Sequence, residues 1–201
     1  MTSLELLIGT GNLGKVTEIK RVLQDLPLKL HVISDFPVIN EPDENGSSYV
    51  ENAIIKAKSY SEQTGLWTLA DDSGLEVASL DGLPGLKSAR FGGEGLSDSD
   101  RTSLLLSKLA AVDHHKRSAR FVCAMVVVTP TGDVINVAHG ICQGRIATAP
   151  SGAKGFGYDP VFIPTGYEET FAEMPFKLKN TISHRGKALA ATREFLQRSF
   201  G

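Results

Sequence analysis

Leu4-Glu5-Leu6-Leu7-Ile8-Gly9-Thr10-Gly11-Asn12-Leu13-Gly14-Lys15-Val16 decides the fold. An apolar run gives way to a glycine-rich turn, after which Val16, Ile19, Leu23 and Leu26 recur at helical spacing, so the chain opens strand, loop, helix. Backbone N–H groups and the dipole at the start of such a helix favour a phosphate. Three readings of the loop compete. It fits G-x-G-x-x-G, with Asp35 about 20 residues on, as a Rossmann dinucleotide site requires. It also fits G-x-x-x-x-G-K, but Val16 stands where a P-loop needs a hydroxyl for magnesium. The third reading is a tight turn that uses glycine only for its backbone freedom.

Working outward, residues 30–33 read as a second strand, and the polar loop at 40–46 leads to a helix with Ser48 as cap and Glu51 in capping-box register. Val50, Ala53, Ile54 and Ala57 form its inner face. A short strand at 67–70 is expected to stop at Asp71-Asp72-Ser73-Gly74, and Asp81-Gly82 marks a turn. Residues 97–111 read as a surface helix capped by Ser97 and Asp100, and residues 121–129 and 134–140 as a long hairpin; both look purely structural. The glycine-rich stretch at 152–159 precedes a strand at 161–163, and a last helix covers 183–200. This order is mixed α/β.

At 201 residues the chain suits one domain, or two lobes around a cleft. The opening residues 1–8 lack the basic start and length of a signal peptide, and no later run approaches a membrane span, so a cytoplasmic protein is expected. A net charge of −2 offers no field to steer the chain onto nucleic acid, and any polyanion must meet locally clustered Lys and Arg. Cys123 and Cys142 lie in strand-like sequence without C-x-x-C spacing and are read as buried thiols.

The acidic pair Asp71-Asp72 supplies hard oxygen donors suited to Mg²⁺, with Glu44 as the second carboxylate; both are also common loop residues. Lys15 and Lys56 can neutralise phosphate charge, although Lys56 taken alone reads rather as a solvated lysine beside the helix's apolar stripe. His184 and Arg185 follow the predicted cap Ser183, where the helix dipole disfavours cations, and breaking that local rule hints at function.

Six ordered segments resemble the inosine triphosphate pyrophosphatase family. They are Thr10-Gly11-Asn12-Leu13-Gly14-Lys15, Glu51-Asn52-Ala53 with Lys56, Ala70-Asp71-Asp72-Ser73-Gly74, Pro84-Gly85 with Ser88-Ala89-Arg90, Phe156-Gly157-Tyr158-Asp159-Pro160 and Ser183-His184-Arg185-Gly186. The resemblance runs from residue 10 to about 187 and implies an elongated mixed β-sheet flanked by helices, two lobes with a central nucleotide-binding cleft, and a homodimer. It implies magnesium-dependent hydrolysis of ITP, dITP and XTP to monophosphate and pyrophosphate. It implies that Thr10, Gly11, Asn12, Leu13, Gly14 and Lys15 hold the triphosphate, that Asp72 is proton acceptor and metal ligand, and that Ser73, Phe156, Gly157, Tyr158, Asp159, Lys179, His184 and Arg185 contact substrate. Arg185 and His184 would then donate to purine O6. The stretch 168–176 departs from the family pattern, and Lys177 competes with Lys179 for its place. A nicotinamide-dependent oxidoreductase remains an alternative, against which no Tyr-x-x-x-Lys pair occurs; a non-catalytic nucleotide-binding module is another.

Overall fold

In the computed structural model, which describes residues 4–200, the opening stretch forms β1 (Leu4–Ile8) and α1 (Leu13–Leu23) as its periodicity requires. The start of the chain, read above for signal-peptide features, lies partly outside the described residues. β2 (Leu28–Val32) pairs parallel to β1 in the register Leu6 with Leu30, and α2 spans Tyr49–Thr64. Ser48 caps α2 by accepting from the amide of Glu51. The expected reciprocal bond is replaced: the Glu51 carboxylate takes the amide and hydroxyl of Ser47 instead. Gly65 ends the helix at φ 67°, in the left-handed region that glycine enters at no steric cost.

The strand that should have stopped before the acidic pair does not. β3 (Trp67–Val77) continues through Asp71-Asp72-Ser73-Gly74, because the buried carboxylates find cationic partners and no turn is needed to carry them to water. α3 (Asp98–Lys108) carries both halves of the capping box at Ser97 and Asp100. The hairpin strands β4 (Ser118–Val128) and β5 (Val134–Ile146) run longer than expected, and β6 (Phe162–Pro164) lies antiparallel to β5. An additional helix, α4 (Phe176–Ile182), begins at the last residue of the stretch 168–176 that departed from the family pattern, the rest of which is turns and bends, and ends at Ser183, just before α5 (His184–Phe200).

The six strands form one mixed sheet in the order β2-β1-β3-β4-β5-β6. Contacts divide the chain into two units. Residues 4–72, 123–140 and 185–200 make the first, with a core of Leu6, Ile8, Ile19, Leu69, Met125 and Leu189, and a second cluster of Ala53, Ala57 and Val126 under α2. Ser73–Val122 and Ile141–His184 make the other, around Leu75, Leu105, Phe121, Phe162 and Phe171. Cys123 and Cys142 are free thiols, both buried as expected. No helix among the described residues is long and apolar enough to cross a membrane.

Candidate active site

In the first unit, Gly9 packs so tightly that an added Cβ would lie 3.0 Å from both Thr68 and Tyr60, and its amide donates to Leu69 O at 2.7 Å. Gly11 is different: its Cβ would meet nothing within 4 Å and its φ is not positive, so neither packing nor backbone strain calls for glycine there. Asn12 caps α1 through Lys15 N at 3.0 Å, and Thr10 Oγ1 accepts from Asn12 N at 3.2 Å. With the cap holding the Lys15 amide and the helix ladder that of Val16, the amides of Leu13 and Gly14 lie in the first turn, where the helix supplies no acceptor. The Leu13 side chain is 81% exposed. This is an anion-binding geometry.

Behind the loop runs a buried charge chain. Lys15 Nζ meets Asp71 Oδ2 at 2.9 Å, Arg185 Nε meets the same oxygen at 3.3 Å, and Arg185 also reaches Glu18 at 2.9 Å. Burial works to raise the Asp71 carboxyl, yet the surrounding Lys15, Arg185 and Lys56 cations outweigh it and hold the group anionic. Burial lowers the Lys15 ammonium, an effect that Asp71 opposes.

Consecutive strand residues point to opposite faces. Asp72 accordingly takes different partners: Asn52 Nδ2 donates to its Oδ2 at 3.1 Å, and its Oδ1 lies 4.0 Å from Lys56 Nζ, which also binds Glu44 at 3.1 Å. Burial raises the Asp72 carboxyl, and Lys56 and Asn52 only partly offset that. Burial would lower Lys56, but Asp71, Glu44 and Asp72 together raise it above an ordinary lysine. Glu44, Lys56 and Asp72 therefore converge although 28 residues separate the first from the last, and Lys56 is buried, not a solvated lysine.

In the second unit, Asp159 anchors the glycine-rich loop. It accepts from Phe156 N at 2.9 Å and from Lys179 Nζ at 2.6 Å, and Lys179 lies 5.0 Å from the centroid of the Phe156 ring. Lys179 is buried while Lys177 is exposed, which settles which lysine joins the cluster. Tyr158 donates its hydroxyl to Ser88 O at 2.9 Å. His184 is buried and stacks on Phe121, with ring centroids 4.5 Å apart and planes 8° from parallel. Ser73 is half-buried in β3.

The geometry answers two puzzles left by the sequence. Asp35 accepts from Val32 N at 2.9 Å in a local turn, so the acid a Rossmann site would aim at a ribose is engaged by its own backbone. The cation at the start of α5 is compensated by Asp71 and Glu18. Glu18 and Asp98 carry no local signature of a site in the sequence, whereas Asn52 lies in the segment Glu51-Asn52-Ala53 on which the family resemblance rests.

A model of the Ham1 family matches residues 6–195. The dITP/XTP pyrophosphatase of Desulforamulus reducens is 44% identical over 197 residues, covering 98% of each chain. That of Geobacter sulfurreducens is 43% identical over 191 residues, covering 95% of this chain and 96% of that one. Among solved structures, a HAM1 protein from Coxiella burnetii aligns with a TM-score of 0.87 at 39% identity, covering 97% of this chain and 99% of that one.

Proposed function

The chain belongs to the Ham1 family, and from that premise we propose that it hydrolyses the non-standard purine nucleoside triphosphates ITP, dITP and XTP to monophosphate and pyrophosphate, clearing them from the nucleotide pool. The observation that carries this reading is the gathering of Lys15, Lys56, Asp71, Asp72 and Glu44 in the unit that presents the glycine loop. A module that only bound nucleotide would have no use for the carboxylates around Lys56.

The loop residues Thr10, Gly11, Asn12, Leu13 and Gly14 receive the triphosphate, the amides of Leu13 and Gly14 donating to it and Gly11 allowing close approach. Lys15, oriented by Asp71, stabilises the pyrophosphate leaving group. Asp72 is the proton acceptor for the attacking water: burial makes it more basic than an ordinary aspartate, and Asn52 fixes its orientation. Lys56 draws charge from the transferring phosphoryl group. Ser73, Phe156, Gly157, Tyr158, Asp159, Lys179 and His184 contribute the remaining substrate contacts, with Phe156 stacking on the purine. Arg185 acts through Asp71, and any donation to the base comes in addition to its two carboxylate contacts. The two units work as one pyrophosphatase domain.

A divalent cation fits this donor set. The carboxylates Glu18, Glu44, Asp71 and Asp72 face three cations, Lys15, Lys56 and Arg185, so a polyphosphate would enter a cluster already one charge negative without further positive charge. Asp72 and Glu44 are the oxygen donors that would hold Mg²⁺, which typically takes one or two carboxylates alongside phosphate oxygens and water. When bound, Mg²⁺ supplies Lewis-acid stabilisation of phosphoryl charge.

Incubation of the protein with ITP and Mg²⁺ should release pyrophosphate, cease on chelation and resume on adding Mg²⁺. Orthophosphate as the direct product would refute the assignment. We further propose a homodimeric, cytoplasmic enzyme; a sedimentation-derived mass of one chain would overturn the dimer, and recovery of the native protein outside the cytosolic fraction would overturn the location.

A further inference from the structure

We propose that the first turns of α3 position the base pocket: Asp98 and Thr102 grip Gly157 and thereby set the Phe156 ring for stacking on the purine. This rests on the assignment of Phe156 to the base made above. Gly157 N donates to Asp98 Oδ2 at 2.7 Å, and the Thr102 hydroxyl makes a longer contact of 3.5 Å to Gly157 O. Each peptide unit is rigid, so the first bond orients the whole Phe156–Gly157 plane and the second the Gly157–Tyr158 plane. Gly157 sits at φ +60°, where glycine's freedom leaves the loop little stiffness of its own.

The neighbouring residues are held from other directions. Phe156 N is bound by Asp159, and the Tyr158 hydroxyl by Ser88 O, whose own hydroxyl serves Leu75 N and Gly85 O. Gly157 is thus the point where α3 takes hold of the loop's backbone. Asp98 is well suited to that grip, because at the first position of a helix capped by Ser97 its anion is favoured by the dipole, and its bond to the amide is charge-assisted. Its side chain is 58% exposed, so replacing it uncovers no core.

The test compares Asp98→Ala with the rescue variant Asp98→Asn, whose amide oxygen still accepts from Gly157. Thr102→Val provides a second variant that keeps the buried volume. Three readouts are taken: IMP affinity by calorimetry, inhibition by pyrophosphate, and exchange of the Gly157 amide by NMR. Asp98→Ala should weaken IMP binding and raise KM for ITP by about tenfold, the worth of one charge-assisted hydrogen bond. It should hold kcat and pyrophosphate inhibition within about twofold and speed Gly157 exchange, and Asp98→Asn should restore most of the loss. Thr102→Val should weaken IMP binding in the same sense and spare pyrophosphate. Unchanged IMP affinity in Asp98→Ala, or equal losses for IMP and pyrophosphate, would overturn the proposal. A wild-type protein that releases pyrophosphate from ITP but loses no IMP affinity on Phe156→Ala would instead sink the assignment of the loop to the base.

Discussion

Asp71 and Asp72 differ by one position and by everything else. Asp71 is buried between Lys15 and Arg185, whereas Asp72 meets Asn52, Lys56 and, across Lys56, Glu44. Removing one partner of a buried pair strands the other charge, at a cost of about 3–5 kcal/mol. Asp71→Asn should therefore lower the urea midpoint strongly, while Asp72→Asn should stay as folded as the wild type and lose turnover. Near-normal activity of Asp72→Asn in saturating Mg²⁺ would exclude it from the chemistry, and an unshifted midpoint for Asp71→Asn would deny the charge chain its structural role. Arg185→Ala deprives Asp71 of one of its cations and so disturbs Lys15, a contact blind to the base. Its kcat/KM should fall by the same factor, about tenfold or more, for ITP and ATP. A loss confined to ITP would place the guanidinium on the base edge instead.

Among the elements, β3 contributes most to the site. Because it runs unbroken from Trp67 to Val77 between β1 and β4, it holds Asp71 and Asp72 on opposite faces with a precision no turn would give. The amides of residues 71–74 should then exchange as slowly as those of Leu69 and Ala70, and rapid exchange confined to 71–74 would restore the turn. Asp-Asp-Ser-Gly is turn-forming by composition, and only the cations brought from α1, α2 and α5 make a strand tolerable there. α3 shows the complementary case. Its capping box was legible because that signal is local, yet its hold on Gly157, 59 residues further on, was not.

Over the whole molecule, β3, β4 and β5 each contribute residues to both units, and the chain passes from one unit to the other four times. Neither unit is a continuous segment that could fold as an independent module. Thermal unfolding should consequently be one cooperative transition with equal calorimetric and van't Hoff enthalpies; two resolved transitions would show that the units melt separately.

The sequence by itself determined the α/β class, the glycine-rich loop opening α1, the caps at Ser48 and Ser97, and the buried thiols, since each is written in hydrophobic period or in residues a few positions apart. With the family resemblance it also pointed to the triphosphate chemistry. Tertiary structure alone decided that Asp71 is a counterion, that Lys179 rather than Lys177 meets Asp159, that a helix occupies 176–182, and that Glu18 and Arg185 pair across 167 positions. Such pairings depend on where the folded backbone delivers each side chain, and at that separation no local pattern records which charges will share a buried site.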